Sequence, residues 1–173
     1  RGYKRALMAI AHKILIAGNH DWVFQLFVDK ARRMIPPSIM YLQDSSVEVM
    51  GMKVYGSPWQ PRFYDWAFNL NRGPEMAEKW ALIPEDTEIL ITHGPPHGIL
   101  DEVETKFGWS HEGCEELKKR VEHLANYGKL KLHILGHIHS GHGVYEESGV
   151  KFVNASICDE EYQPSQLPIV IDL

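Results

Sequence analysis

Cysteine is scarce in this 173-residue chain: Cys114 and Cys158 are the only two, and they form no Cys-x-x-Cys pair. That excludes a disulfide framework and a zinc-finger spacing, and makes a reducing, cytoplasmic compartment the expectation. Long hydrophobic runs are missing too. No apolar stretch approaches the roughly 18 residues a membrane-spanning helix needs, so a membrane is not an expected partner. The stretch Ala6 to Ala11 is cut short by His12-Lys13 with no small-residue cleavage pattern after it. It reads as the tail of a helix running into a strand, not as a signal peptide. A basic excess is absent as well: 18 Lys and Arg face 23 Asp and Glu, a net charge of -5. This argues against a nucleic-acid polymer as ligand. Small phosphorylated ligands stay open, because a metal can supply positive charge locally. Repeats, low-complexity tracts and linkers are absent. Asn154-Ala155-Ser156 fits a glycosylation sequon in a chain with no other secretory feature. Arg1 in place of an initiator Met makes a fragment, a processed product or a deliberately trimmed chain the expectation.

The composition is ordinarily globular, 44% hydrophobic and 24% charged, and the length suits a single domain over 1–173. Lys13 to Ala17 is a short apolar run ending in Gly, a buried strand. Asp21 can cap a helix that starts near Trp22 and fades before Pro36-Pro37. Ile39 to Leu42, Val47 to Met50 and Lys53 to Tyr55 read as strands, with Gly51 turning between the last two. Gly56 to Arg72, rich in Pro, Trp, Phe and Tyr, reads as a long loop. Pro74 to Ala81 is a short helix with Pro near its start. Glu88 to Thr92 is a strand leading into His93-Gly94-Pro95-Pro96. Cys114, Leu117, Val121 and Leu124 recur at steps of three and four, the stripe of an amphipathic helix, with Gly128 as its C-cap. Leu132 to Leu135, Val144-Tyr145, Lys151 to Val153 and Ile169 to Ile171 complete the strands. The pattern predicts an α/β sandwich with mixed sheets and outer helices. Three strands end in polar loops carrying His, and such loops converge at strand C-terminal ends in open α/β sheets.

Those loops are Gly18-Asn19-His20-Asp21, Thr92-His93-Gly94 and Gly136-His137-Ile138-His139. Neutral imidazoles are good ligands for Zn, Mn or Fe, and an amide oxygen suits harder divalent ions. Asn19, His93 and His137 could each give one ligand to one ion, while His139, two residues on, could reach a neighbouring one. Two metals about 3.5–4 Å apart suit phosphoester hydrolysis. His20 is better placed as a phosphate contact or as a general acid for the leaving oxygen. Asn19-His20-Asp21 also suits a turn and a helix cap, and His93 a plain loop position. Gly-His-x-His after a buried strand is the more specific signal. Arg72 is a candidate phosphate contact, although most such arginines are simply solvated. Trp59, Phe63, Tyr64 and Trp66 could stack on a nucleobase, or fill core. His12, His123 and His133 read as structural, and His97, His111 and His142 as peripheral.

In this order the blocks resemble the calcineurin-like metallophosphoesterase superfamily, whose pattern is Asp-x-His, Gly-Asp-x-x-Asp, Gly-Asn-His-(Asp/Glu), a later His, then Gly-His-x-His. Tyr41-Leu42-Gln43-Asp44, Tyr55 to Trp59, Phe68 to Gly73, Thr92 to Pro96 and Asn154-Ala155-Ser156 make the chain similar to its metallophosphoesterase-domain-containing (239AB/239FB brain protein) group. The resemblance implies a four-layer α/β/β/α sandwich, of which this chain is the C-terminal portion. It implies a two-metal phosphodiesterase acting on small phosphodiesters such as cyclic nucleotides. The metals would be Mn, Fe, Zn or Mg, with Mn favoured, and a metal-bridging water or hydroxide would attack phosphorus. Carried over by position, Asn19, His93 and His137 bind one metal and His139 the other, while Asn19 and His20 meet the phosphate. The first two blocks are absent, and with them the terminal and bridging carboxylates. Two dications about 4 Å apart repel by roughly 17 kcal/mol at an effective dielectric of 20, which imidazoles and an amide do not offset. The expectation is therefore at most one metal in this chain alone and an incomplete catalytic site. The alternative from another class is a non-catalytic metal- or nucleotide-binding module of the same fold.

Overall fold

The computed structural model describes residues 10–173. The expected helix tail over Ala6 to Ala11 lies mostly outside the described residues. In chain order the elements are β1 (Ile14–Leu15), α1 (Trp22–Leu26), α2 (Val28–Met34), β2 (Met40–Tyr41), β3 (Ser45–Val49), β4 (Met52–Ser57), β5 (Gln60–Pro61), β6 (Asn69–Leu70) and α3 (Pro74–Ala81). They continue as β7 (Ile89–Thr92), β8 (Glu102–Thr105), β9 (Gly108–His111), α4 (Glu115–Tyr127), β10 (Leu132–Leu135), β11 (Gly143–Glu147) and β12 (Val150–Asn154).

The centre is a six-stranded sheet in the order β11-β12-β10-β7-β4-β3. Its four inner strands β12, β10, β7 and β4 run parallel, and the edge strands β11 and β3 return antiparallel. Each edge strand joins its neighbour through a two-residue turn with positive φ at both positions, Met50-Gly51 and Ser148-Gly149. That geometry matches the right-handed twist of a hairpin. Period-two alternation divides the strand side chains between two cores. Tyr55, Leu90, Leu135 and Phe152 face α3 and α4, which contribute Met76, Trp80, Leu117, Val121 and Leu124. Val54, Ile89, Leu132 and Val153 face the other way, against Ile14, Ile16 and Leu42 from the β1–β2 region and Ile169 and Ile171. This is the expected α/β architecture with a mixed sheet and helices outside. Among the described residues the second sheet of a four-layer sandwich is represented by the parallel pair β1–β2.

Four local readings change. The helix after Asp21 is two helices broken at Phe27, whose N–H still bonds Val23 and whose carbonyl opens the second helix by accepting from Ala31. Pro36 ends the second helix as expected, holding Ile35 extended at ψ 129. The Gly56–Arg72 loop contains the short parallel pair β5–β6. A hairpin, β8–β9, stands where no element was read. Ile169 to Ile171 is not a strand. Its isoleucines pack on the face of the sheet and do not pair at an edge.

Candidate functional site

The four parallel strands end together at Ser57, Thr92, Leu135 and Asn154, and each continues into a loop on the same edge of the sheet. The loops stay in register beyond the strands: Gly136 N–H donates to the His93 carbonyl at 3.0 Å, and Ala155 N–H to the Leu135 carbonyl at 2.8 Å. β1 brings Gly18-Asn19-His20 to the same place. Between them opens a cleft of about 1130 Å³ lined by Asn19, His20, His93, His137 and His139. The convergence read from strand ends is therefore what the fold builds.

Each site residue is held by identifiable bonds. The Asp21 carboxylate accepts the Gly18 N–H at 2.7 Å, and Asp21 N–H returns to the Gly18 carbonyl at 3.0 Å, closing the turn that presents Asn19 and His20. Asp21 stands at the N-cap position of α1, but its carboxylate bonds back to Gly18 and caps no helix N–H, so it is a turn residue and not the helix cap expected. Asn19 is buried, only 4% exposed, with its carbonyl accepting from Ala67 N–H. Its side-chain oxygen meets His93 Nε2 at 2.7 Å. The His93 ring lies 4.7 Å, centroid to centroid, from that of His137. Gly18 makes this approach possible: a Cβ there would fall 2.6 Å from His93 Cε1. His137 sits at φ 70, a strained setting for a residue with a side chain, of the kind that clusters at functional sites. His139 opens a 3₁₀ turn, and its Nδ1 donates to the Asp159 carbonyl at 2.7 Å.

Burial sets the protonation state. Dense packing pushes His93 down from the ordinary 6.5 to about 3, helped by the neighbouring His137, His20 and His139. Packing, with His139 and His20 nearby, pushes His137 down to about 4. Both imidazoles are neutral at physiological pH, the form that ligates metal. Behind them His133 is fully buried with Nε2 2.8 Å from the Thr92 hydroxyl. That hydroxyl gives its single proton to the Gly94 carbonyl at 2.7 Å, so His133 must be the donor at Nε2. Its Nδ1 is left without a partner, and burial holds the ring down at about 3. His133 is structural, as read: it braces the loop that carries His93.

Two carboxylates near the loops, Asp44 and Asp101, are engaged in holding them. Asp44 accepts from Ser57, Trp59 and Lys79. Buried Asp101 accepts from the backbone of Gly98 and Gly113 and from His111. Among the described residues no group of three His, Cys, Asp or Glu side chains stands close enough to hold a metal ion. Only with the Asn19 amide does a three-donor set, Asn19, His93 and His137, come together. The 2.7 Å between Asn19 Oδ1 and His93 Nε2 is close to the spacing of about 3 Å between adjacent ligands with bonds of about 2.1 Å. Imidazole nitrogens and an amide oxygen are donor types that a divalent ion takes.

Arg72 reaches the cleft, but its guanidinium donates to the carbonyls of Gly113 at 2.7 Å and Glu112 at 3.0 Å and pairs with Glu115. His20 stands exposed on the cleft with its ring 5.0 Å from that of Trp66. Phe63, Tyr64 and Trp66 form a contiguous aromatic group beside it, with Phe63 and Trp66 on the cleft wall. Trp59 instead packs edge-on to buried Phe68. Reading from sequence missed the opposite wall: Val103, Glu104 and Thr105 of the β8–β9 hairpin, and Glu160 and Tyr162 near the C-terminus. The alternation Glu102-Val103-Glu104-Thr105 was the available signal for the hairpin. Nothing in the C-terminal stretch announces its place.

Residues 2–141 match the calcineurin-like phosphoesterase family. Over 184 residues the chain is 44% identical to human metallophosphoesterase domain-containing protein 1, covering 94% of this chain and 55% of that protein. It is 31% identical over 191 residues to a UPF0046 protein of Caenorhabditis elegans, covering 94% of this chain and 47% of the other. The chain thus spans about half the length of these curated relatives. A crystal structure with 18% identity aligns with 89% of this chain and 60% of its own length at a TM-score of 0.62, a likeness in fold.

Proposed function

The chain belongs to the calcineurin-like phosphoesterase family, and from that premise we propose that its cleft serves a metal-dependent phosphodiesterase acting on small phosphodiesters, cyclic nucleotides among them. The observation that carries this reading is the meeting of Asn19, His93 and His137 at the strand ends, with both imidazoles neutral. A divalent ion bound there, manganese by preference, would supply Lewis-acid polarisation of the phosphoryl oxygens. Asn19, His93 and His137 would hold it, with His139 turned to a neighbouring position. The chain's own residues do the rest. His20, exposed beside the ligands, protonates the leaving oxygen, and the Asn19 amide orients the phosphate. The Phe63–Trp66 wall offers a flat apolar surface to an aromatic leaving group such as a nucleobase.

A second reading is a non-catalytic metal- or nucleotide-binding module of the same fold, for which the Phe63–Trp66 wall would offer a nucleobase a surface with or without turnover. His20 separates the two. In an enzyme, His20→Ala lowers hydrolysis of a bis-aryl phosphodiester by about 10²- to 10⁴-fold while manganese per chain, counted by elemental analysis, stays the same. In a binding module neither quantity moves.

A further inference from the structure

From Ala155 to Leu173 the chain has neither helix nor strand, yet Cys158 to Gln166 is densely bonded. Asp159 is its hub. One carboxylate oxygen accepts the N–H groups of Glu161 at 3.1 Å and Gln163 at 2.8 Å, and the other accepts the Ser165 hydroxyl at 2.7 Å. The Asp159 N–H returns to the Gln163 carbonyl at 2.9 Å. Inside this turn Tyr162 is held at φ 60, a conformation a bulky residue adopts only when its surroundings impose it.

What the turn organises converges on His139. The Asp159 carbonyl receives His139 Nδ1 at 2.7 Å. The Tyr162 ring stands edge-on to the imidazole, centroids 5.2 Å apart at 82°. From the other side the Gln166 amide donates to the His139 carbonyl at 3.2 Å and to the Cys158 carbonyl at 3.1 Å. A carbonyl can only accept, so the proton sits on Nδ1 and Nε2 keeps its lone pair. His139 lines the cleft, and so does Tyr162.

We propose that the arm Cys158–Gln166 sets the tautomer and heading of His139, with Asp159 and Gln166 as positioning residues and Tyr162 as the cleft wall beside the ring. Metal-binding imidazoles are commonly oriented in this way by a carbonyl on the second nitrogen, and losing such a partner weakens metal affinity by about 10- to 100-fold. The ligand role of His139 rests on the proposed phosphodiesterase function; its orientation by the arm does not.

The test is a long-range proton–nitrogen correlation spectrum of metal-free protein labelled with ¹⁵N-histidine. Wild-type His139 is expected to show a protonated Nδ1 and a bare Nε2. In Asp159→Ala that pattern gives way to a mixture of tautomers, and the manganese affinity read by calorimetry falls about 10- to 100-fold. Ser165→Ala, which removes one bond from an exposed turn, shifts the tautomers in the same direction and serves if Asp159→Ala does not fold. A His139 signal identical to wild type in either folded variant overturns the proposal. A shifted tautomer with unchanged manganese affinity supports the arm and removes His139 from the ligand set, which counts against the hydrolase reading alone.

Discussion

Gly18 shows how much of this site depends on single atoms. The His93 ring packs where a side chain at position 18 would go, 2.6 Å from a Cβ and backed by His137. The ring has little room to retreat, because Nε2 is held by Asn19. Gly18→Ala should therefore act as an overpacked core substitution, costing about 1–3 kcal/mol. It should also pull apart the Asn19–His93 pair. Both the urea midpoint of the metal-free protein and its manganese affinity are expected to fall. A variant that loses stability but keeps full affinity would show that His93 is not a ligand. The glycine was legible in sequence as part of a Gly-Asn-His block, but its reason was not. The clash is with a residue 75 positions away, and only the folded chain brings the two together.

At the scale of elements, legibility in the sequence depends on how local the cause is. The stripe Leu117, Val121 and Leu124 is a local pattern, and the helix it predicts is there with all three buried. The strands that carry His93 and His137 read clearly because they are short apolar runs between breakers. Ile169 to Ile171 has the same local character and is no strand: its side chains pack on the face of the sheet, and a local apolar pattern does not say whether the backbone will pair. The β8–β9 hairpin has the opposite problem. Its turn Lys106-Phe107 lacks the usual Asn-Gly signal, and with Phe107 89% and Trp109 63% exposed its sides bury little. Arg72 illustrates a third case, in which the residue was legible and its bonding partners were not. Its bonds to Glu112, Gly113 and Glu115 tie the segment before α3 to the start of α4. Arg72→Ala is therefore expected to lower the thermal midpoint, by the loss of two bonds to carbonyls worth roughly 1–2 kcal/mol in total. KM for a phosphodiester should stay near the wild-type value. A KM raised tenfold with the midpoint unchanged would assign Arg72 to phosphate binding.

The whole molecule carries a further consequence, because the fold keeps imidazoles neutral at pH values where the unfolded chain would protonate them. His133 is the cleanest case: it is fully buried in the sheet, touches Thr92, and has an orphaned Nδ1 that protonation would turn into an unsatisfied buried donor. Its folded pKa is about 3, against an ordinary 6.5. The folded state thus binds fewer protons than the unfolded state across that interval, and stability falls as pH falls. The contribution is fully present above pH 6.5 and is lost progressively toward pH 3. By pH 4 a single such group removes about 3 kcal/mol. His93 and His137, held down to about 3 and about 4, add with the same sign in the metal-free protein. Carboxylate titration alone would destabilise the fold mainly below pH 5, whereas these imidazoles should steepen the loss between pH 6.5 and 4. Urea midpoints measured across that range test the point, and His133→Gln should flatten the profile by close to one proton. The substitution itself is costly at pH 7, so the slope is the quantity to compare. A profile flat from pH 7 to 5 would mean that the buried imidazoles are reached by water when protonated. Manganese should steepen the acid limb further, because protons and the ion compete for the same imidazole lone pairs.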